Sequence, residues 1–361
     1  MSNTMHYAPP PPRPLGIFNN TVRLVRSFVA VLSTGTECAP PARPRLRNLP
    51  DWRPTHLISA DRRAELAFVD AEASPEDEPL PSGEGLTLVL GDDAEWDEAQ
   101  GRSCMACAAC VEWDPTRSFV RVLSSIVGLP PIFICRMPSV VAVASELHLF
   151  RALAGLRVAV SPQAVVELFT VGHPLEHRSL FKDVTLMPGG HSFRVSGFGL
   201  ADLTPAWEPP EPQPETDCSS HIDFQVEAFR QAVSKLRLSD SLFSLTGGLD
   251  TRAILAVLSE AGVTLTACTI TGGRTLCLDA RRARELCRAY GLPHIVVSLD
   301  QQFLRDLPTY VVEASRLSGG LASLDQAHEV LFLPATEGTR VQPVVRQPWK
   351  SGRTTRSGGN I

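Results

Sequence analysis

The sequence predicts a chain in two parts, a β-rich first half followed by an α/β half built on a parallel sheet. Three observations carry that expectation. Between Leu242 and Leu299 the pattern runs strand, helix, strand, helix, strand, which implies parallel strands joined by right-handed crossovers. Between Leu86 and Ala144, short apolar runs are separated by glycine and proline turns, the pattern of a mainly β region. Between the halves, Trp207-Glu-Pro-Pro-Glu-Pro-Gln-Pro-Glu-Thr216 holds four prolines in ten residues, the composition of a stiff linker.

At 361 residues the chain is long enough for two domains, each with its own core. A net charge of −5 with 20% charged residues offers no electrostatic footprint for nucleic acid or an acidic membrane. No run of roughly eighteen apolar residues occurs, because Arg121, Gly128 and Pro130-Pro131 interrupt the longest candidate, Phe119 to Cys135. Residues 1–16 are proline-rich and lack the apolar core of a signal peptide. A soluble cytoplasmic protein is expected. The nine cysteines are odd in number and scattered, unlike a secreted disulfide framework. Cys104, Cys107 and Cys110 have a metal-like spacing, but no fourth cysteine follows at a matching interval. They read instead as small apolar residues of a strand.

In chain order, residues 1–16 form a disordered proline-rich head and Val22–Leu32 a helix or a strand. Residues 38–81, rich in Pro, Arg, Asp and Glu, receive no assignment. Strands are expected at Leu86–Leu90, Arg102–Trp113, Phe119–Leu123, Ile132–Cys135 and Val140–Ala144. Ser161-Pro162 is a cap followed by proline at the first helical position, and Val165, Leu168 and Phe169 are its expected inward face. Pro188-Gly189-Gly190 turns into a further strand. After the linker, Ile222, Val226, Phe229, Val233 and Leu236 mark an amphipathic helix. Helices follow at Ile254–Ala261 and Asp279–Tyr290, and strands at Val263–Ile270 and His294–Leu299. Phe303–Leu317 reads as a last helix, and from about Glu337 the composition is that of a disordered tail.

The stretch around Gly247 and Gly248 carries the functional expectation. Leu242 to Leu245 suit a strand, and Thr246, Gly247, Gly248, Leu249, Asp250 and Thr251 link it to a helix start. Glycines admit a ligand close to the main chain and take angles closed to other residues. A helix N-terminus adds unsatisfied N–H groups and partial positive charge, so a phosphate is the expected guest. Asp250 would repel it unless a divalent cation bridges them, and Mg²⁺ with one or two carboxylates and phosphate oxygens fits. The bland alternative is a tight turn with Asp250 as a helix cap. The loop is not the G-x-x-x-x-G-K-[ST] type, having no lysine after its second glycine.

The segment resembles the S-G-G-x-D-S pyrophosphate loop of the asparagine synthetase family, with Thr246 and Thr251 in the serine places. The resemblance extends to Gly128-Leu-Pro-Pro-Ile-Phe133, Ala144-Ser-Glu-Leu147, Leu180-Phe-Lys-Asp-Val184 and Met187-Pro-Gly-Gly-His191. These are similar to the closing part of that family's glutaminase-type, Ntn hydrolase-like domain. It implies a degenerate glutaminase-like domain over 17–205, a linker at 206–218, and an ATP pyrophosphatase domain over 219–335. The tail is then 336–361. It further implies ATP and Mg²⁺ as cofactors, with Leu245, Thr246, Gly247, Gly248, Leu249, Asp250, Thr251 and Ile270 binding the nucleotide and Asp250 holding the metal. Leu245 and Ile270 would lie by the adenine.

Two departures from the family pattern shape the expectation. The family's glutaminase nucleophile is an N-terminal cysteine, whereas here Ser2 follows Met1 and the first cysteine is Cys38. Glutaminase activity is therefore expected to be absent. The family's G-x-G-x-D-E-type segment with a second metal carboxylate does not follow Ser318–His328, so the domain is expected to be cut short. The resemblance implies ATP-dependent amide-bond formation on a small-molecule or peptide carboxylate, as in asparagine synthesis. An intramolecular cyclase of the lasso-peptide or β-lactam synthetase kind, and a non-catalytic remnant, are the alternatives. Arg252 would assist at the loop, Asp279 would cap its helix, and Asp325 and His328 stand outside the catalytic set.

Overall fold

A computed structural model describes residues 21–33, 55–59, 61–70, 85–91, 108–153, 156–196, 201–209, 218–234, 242–272 and 276–332. The expected head at 1–16, Cys104 and Cys107, Leu236, most of the linker and the tail at 336–361 lie outside these residues. The protein is mixed α/β, with a large, mainly antiparallel sheet and a small parallel one. It divides into two compact units, residues 1–211 with 315–324, and residues 212–314 with 325–361.

The first unit is an 11-stranded sheet. Its strands are β1 (Thr21–Ser33), β2 (Thr55–Ile58), β3 (Ala64–Asp70), β4 (Leu86–Gly91), β5 (Ala108–Asp114) and β6 (Phe119–Leu123). They continue with β7 (Phe133–Met137), β8 (Val140–Ala144), β9 (Val184–Leu186), β10 (His191–Ser196) and β11 (Ala201–Pro205). The order is β11-β10-β6-β5-β4-β1-β8-β7-β9, with β3 along β1 and β2 along β3. The long strand β1 joins the halves, pairing in parallel with β4 through Thr21–Val25 and antiparallel with β8 through Val29–Ser33.

The open question at Val22–Leu32 resolves as strand for a packing reason. Phe28, Ala30 and Leu32 enter one apolar cluster and Val29 and Val31 another, so both faces are covered and the run needs no alternating polar residues. Alternate residues of the remaining long strands, among them Phe68, Leu88, Val111, Trp113, Val122, Ile134, Val143 and Phe193, meet in the first cluster. Each such side chain contributes about 1.5–3 kcal/mol on burial. The second cluster is closed by α1 (Leu149–Ala152) through Leu149 and Phe150.

In this unit one unassigned stretch is filled and one expectation needs correction. The unassigned stretch 38–81 contains β2 and β3, whose turn is tied by the short side chains of Ser59 and Asp61. Ser59 Oγ donates to Asp61 Oδ1 at 2.7 Å, and Arg63 N–H donates to the same oxygen at 3.0 Å. The helix after Ser161 is α2 (Pro162–Val171), capped as expected by Ser161 accepting from Ala164 N–H at 3.3 Å. Its inward face, however, is Ala164 and Glu167, while Phe169 is 73% exposed. Glu167 is held inside by Arg178 at 2.8 Å and by the Leu175 amide at 2.8 Å. A charged residue satisfied this way occupies the face that periodicity assigns to apolar ones.

The second unit is built on β12 (Leu242–Ser244), β13 (Thr266–Gly272) and β14 (His294–Leu299), a three-stranded parallel sheet in that order. The helix α4 (Leu249–Glu260) connects the first pair and α5 (Leu278–Tyr290) the second; α3 (Cys218–Ser234) precedes them and α6 (Gln301–Ser318) follows. Phe243, Leu245, Leu255, Leu258, Ala267, Ala283 and Cys287 form the core. On α4 the inward stripe is centred on Thr251, Leu255 and Leu258, with the expected Ile254 and Val257 at its margin. On α3 only Val233 of the expected face is buried among the described side chains, and Ile222, Val226 and Phe229 are exposed.

A 3-10 helix, Leu324–Phe332, ends the described residues. Among those residues no helix is long and apolar enough to cross a membrane. The buried thiols behave as the apolar residues they pack with. Burial pushes Cys135 and Cys268 up to about 12, so both are neutral at physiological pH.

Candidate functional site

The loop from Thr246 to Asp250 leaves the C-terminal end of β12, the middle of its pattern being the start of α4 with Gly248 as the cap residue. In open parallel sheets this is where ligands gather. Ser244 pairs with Cys268 and the Leu245 amide donates to Cys268 O at 2.8 Å, so the sheet ladder holds the strand up to the first residue of the turn.

The glycines serve the turn differently from the sequence expectation. Gly248 has φ −67° and ψ 159°, and Gly247 is not among the residues with positive φ. Neither uses an angle closed to other residues. What the turn needs is the absence of side chains. A Cβ on Gly247 would lie 2.8 Å from Asp279 Oδ1 and 3.2 Å from Arg282 Cβ, and one on Gly248 would lie 3.1 Å from Thr246 Oγ1.

Thr251 sits inside the turn. It is 2% exposed, and its Oγ1 accepts from the Thr246 amide at 3.3 Å and lies 3.1 Å from Thr246 Oγ1 and 3.2 Å from Thr246 O. It therefore shapes the loop and does not present its hydroxyl to solvent. Thr246 Oγ1 in turn accepts from the Gly248 amide at 3.2 Å. The Gly247 amide donates to the Asp279 carboxylate at 3.0 Å. The two threonines expected to flank the glycines are thus brought together, and Asp279, expected only to cap α5, reaches the loop.

The remaining expected residues fall in different environments. Leu245 is fully buried in the core, so its side chain is closed to a ligand and its carbonyl accepts from Thr269 Oγ1 at 2.6 Å. Ile270, one strand over, is half-buried. Leu249 is 75% exposed, and Asp250, in the first turn of α4, is exposed. Arg252 Nε donates to Gly248 O at 3.1 Å, bracing the cap residue. Asp325 and His328 do not pair through side chains: His328 Nδ1 contacts the Asp325 carbonyl at 2.8 Å.

Two contacts lay beyond sequence reasoning. Because Thr269 gives its one proton to Leu245, the His294 ring nitrogen 2.9 Å from Thr269 Oγ1 must be the donor, which fixes the neutral ring as the Nε2–H tautomer. Burial, and then the Arg284 charge, hold the His294 pKa below its ordinary value, consistent with that neutral ring. Cys277 caps α5 by accepting from the Ala280 amide at 3.5 Å, and its own amide donates to Thr271 Oγ1 at 3.0 Å. Cysteine is not a usual cap, so only the positions of Asp279 and the helix pattern signalled this start.

Among the described residues no group of three or more His, Cys, Asp or Glu is placed to hold a metal ion.

No protein-family model matches this sequence, and none of the curated proteins matches it. Solved structures overlay it loosely. The glutamine-dependent NAD+ synthetase from Acinetobacter baumannii, solved with ADP, is 17% identical over 44% of this chain and 34% of its own, with a TM-score of 0.25. The glutamine phosphoribosylpyrophosphate amidotransferase from B. subtilis, solved with ADP and GMP, is 9% identical over 75% of this chain and 65% of its own, with a TM-score of 0.30. An allosteric regulatory enzyme of purine biosynthesis is 12% identical over 82% and 73%, with a TM-score of 0.26. The chain spans about a third of the length of the NAD+ synthetase.

Proposed function

We propose that the loop Thr246–Thr251 binds the phosphates of ATP and that the chain serves ATP-dependent activation of a carboxylate for amide-bond formation. The observation that carries this reading is Gly247: it lies at the C-terminal end of a parallel strand, before a helix, where the nearest atoms facing it belong to the side chains of Asp279 and Arg282 and not to main chain. Such a turn brings main-chain amides to a phosphate at van der Waals range. Thr246, Gly247, Gly248, Leu249 and Asp250 would line it, Thr251 would hold its shape, and Leu245, through its main chain, and Ile270 would flank the adenine. Mg²⁺ held by Asp250 and phosphate oxygens would offset the charge that grows on the leaving pyrophosphate.

In this reading a substrate carboxylate oxygen attacks the α-phosphorus, and the bond to the bridging oxygen breaks with departure of pyrophosphate. An amine then attacks the acyl carbon and AMP leaves with the electron pair of the broken bond. The loop amides stabilise the pyrophosphate charge. Residues 17–205 would be the glutaminase-like scaffold, 206–218 the linker and 219–335 the nucleotide domain of an asparagine synthetase-like chain. A second reading, a structural turn that binds nothing, is favoured by one observation. Oxygens of the chain already accept from the Thr246, Gly247 and Gly248 amides.

Calorimetric titration of the full chain with ATP and Mg²⁺ separates the two. Magnesium-dependent binding that weakens at least about tenfold in Asp250→Ala is expected. A folded chain that takes up no ATP would contradict the proposal.

A further inference from the structure

Asp279 is 32 residues from Gly247 in sequence, yet its Oδ1 lies 3.0 Å from the Gly247 nitrogen. An amide in a turn of this kind is the donor that a phosphate oxygen would use. We propose, resting on the nucleotide reading of the loop, that Asp279 is the chain's own occupant of the anion position at Gly247. A phosphate must displace it, and the displaced carboxylate then disfavours any phosphate that arrives without a divalent cation.

Three observations support this. First, Asp279 is presented by a fixed frame. The Cys277 amide is bonded to Thr271 Oγ1 at 3.0 Å and Cys277 caps the helix, so the first turn of α5 is anchored to the end of β13. Second, the carboxylate sits against the glycine main chain itself, since a Cβ there would be 2.8 Å from Oδ1. Third, the neighbouring amides are held differently. Those of Thr246 and Gly248 are bonded to hydroxyls of the loop itself, whereas the Gly247 amide is bonded to a charged side chain from another element.

Asp279 is exposed, so its carboxylate can swing into water without being stranded in an apolar medium. A carboxylate in the first turn of a helix is stabilised by the helix dipole alone, but that role requires no bond to Gly247. Exchange of one anion for another at a single donor makes the apparent affinity of the incoming ligand fall by the fraction of sites already filled. Negative charge left beside the bound phosphate adds repulsion that Mg²⁺ relieves. The device therefore selects magnesium-complexed polyphosphates over free anions.

The test uses the full chain, unaltered and as Asp279→Ala and Asp279→Asn, titrated calorimetrically with inorganic pyrophosphate and with ATP, each with and without Mg²⁺. Asparagine keeps the shape and an accepting oxygen while removing the charge. Pyrophosphate is expected to bind Asp279→Ala about 5- to 10-fold more tightly than the unaltered chain. The gain should be larger without Mg²⁺, with Asp279→Asn in between. Unchanged or weaker binding in variants that melt with the unaltered chain, while that chain binds ATP, would overturn the inference and leave the nucleotide reading in place. Absence of binding by the unaltered chain and both variants would overturn both.

Discussion

Of the five Gly-Gly pairs in the sequence, those at Gly189-Gly190 and Gly247-Gly248 are bounded by walls that differ in kind. A Cβ on Gly189 would run into the Ile126 carbonyl and lie 2.9 Å from the Gly128 nitrogen. Its wall is main chain, and the turn is locked further by Ser124 Oγ donating to Pro188 O at 2.7 Å and by Gly190 N–H donating to Ser125 O at 2.8 Å. Gly190 also has φ +68°, which a side chain would strain. Gly247 has neither a main-chain wall nor a positive φ. What crowds it is the tip of Asp279, which can swing away, and the stem of Arg282, whose Cβ lies 3.2 Å off. A glycine enclosed by main chain serves packing, whereas one enclosed by movable charged groups leaves space that a ligand can take. The same dipeptide thus sits in two different surroundings.

Substitution separates them. Gly189→Ala should give the largest stability loss, about 2–4 kcal/mol, because main chain on both sides must shift. Thermal melting followed by circular dichroism would measure it, and a melting temperature equal to that of the unaltered chain would break the comparison. Thr251→Val should cost about 1–2 kcal/mol, since it strands the Thr246 amide that Thr251 Oγ1 accepts at 3.3 Å. Its check is the same melt, with weaker ATP binding as a secondary sign that the loop has lost its shape.

How much of this was legible in the sequence varies with the length over which the signal acts. Val140–Ala144 and His294–Leu299 coincide with β8 and β14 because each is a short β-branched run closed by turn residues. The hairpin Thr55–Asp70 was hidden because its strands carry Glu65 and His56, which pair at 3.3 Å. A buried acid with a partner looks, in sequence, like a solvated one. The face of α2 was misplaced because a helix offers several overlapping apolar stripes, and packing selects among them; on α3 the expected face is left uncovered except at Val233. At the loop, the strand, turn and helix were readable locally. The inward turn of Thr251 and the reach of Asp279 to Gly247 were not, because a 32-residue separation leaves no local pattern.

The most direct test of the nucleotide reading is Gly247→Ala in the full chain, titrated with ATP and Mg²⁺ by calorimetry and melted in parallel. With no positive φ to strain, but with the Asp279 tip and the Arg282 Cβ, 3.2 Å away, to displace, its stability should fall by about 1–2 kcal/mol. The added methyl should nevertheless weaken ATP binding at least about tenfold, because phosphate and loop can no longer approach at hydrogen-bond distance. A variant that binds ATP as tightly as the unaltered chain would contradict the account, placing the nucleotide elsewhere than this turn.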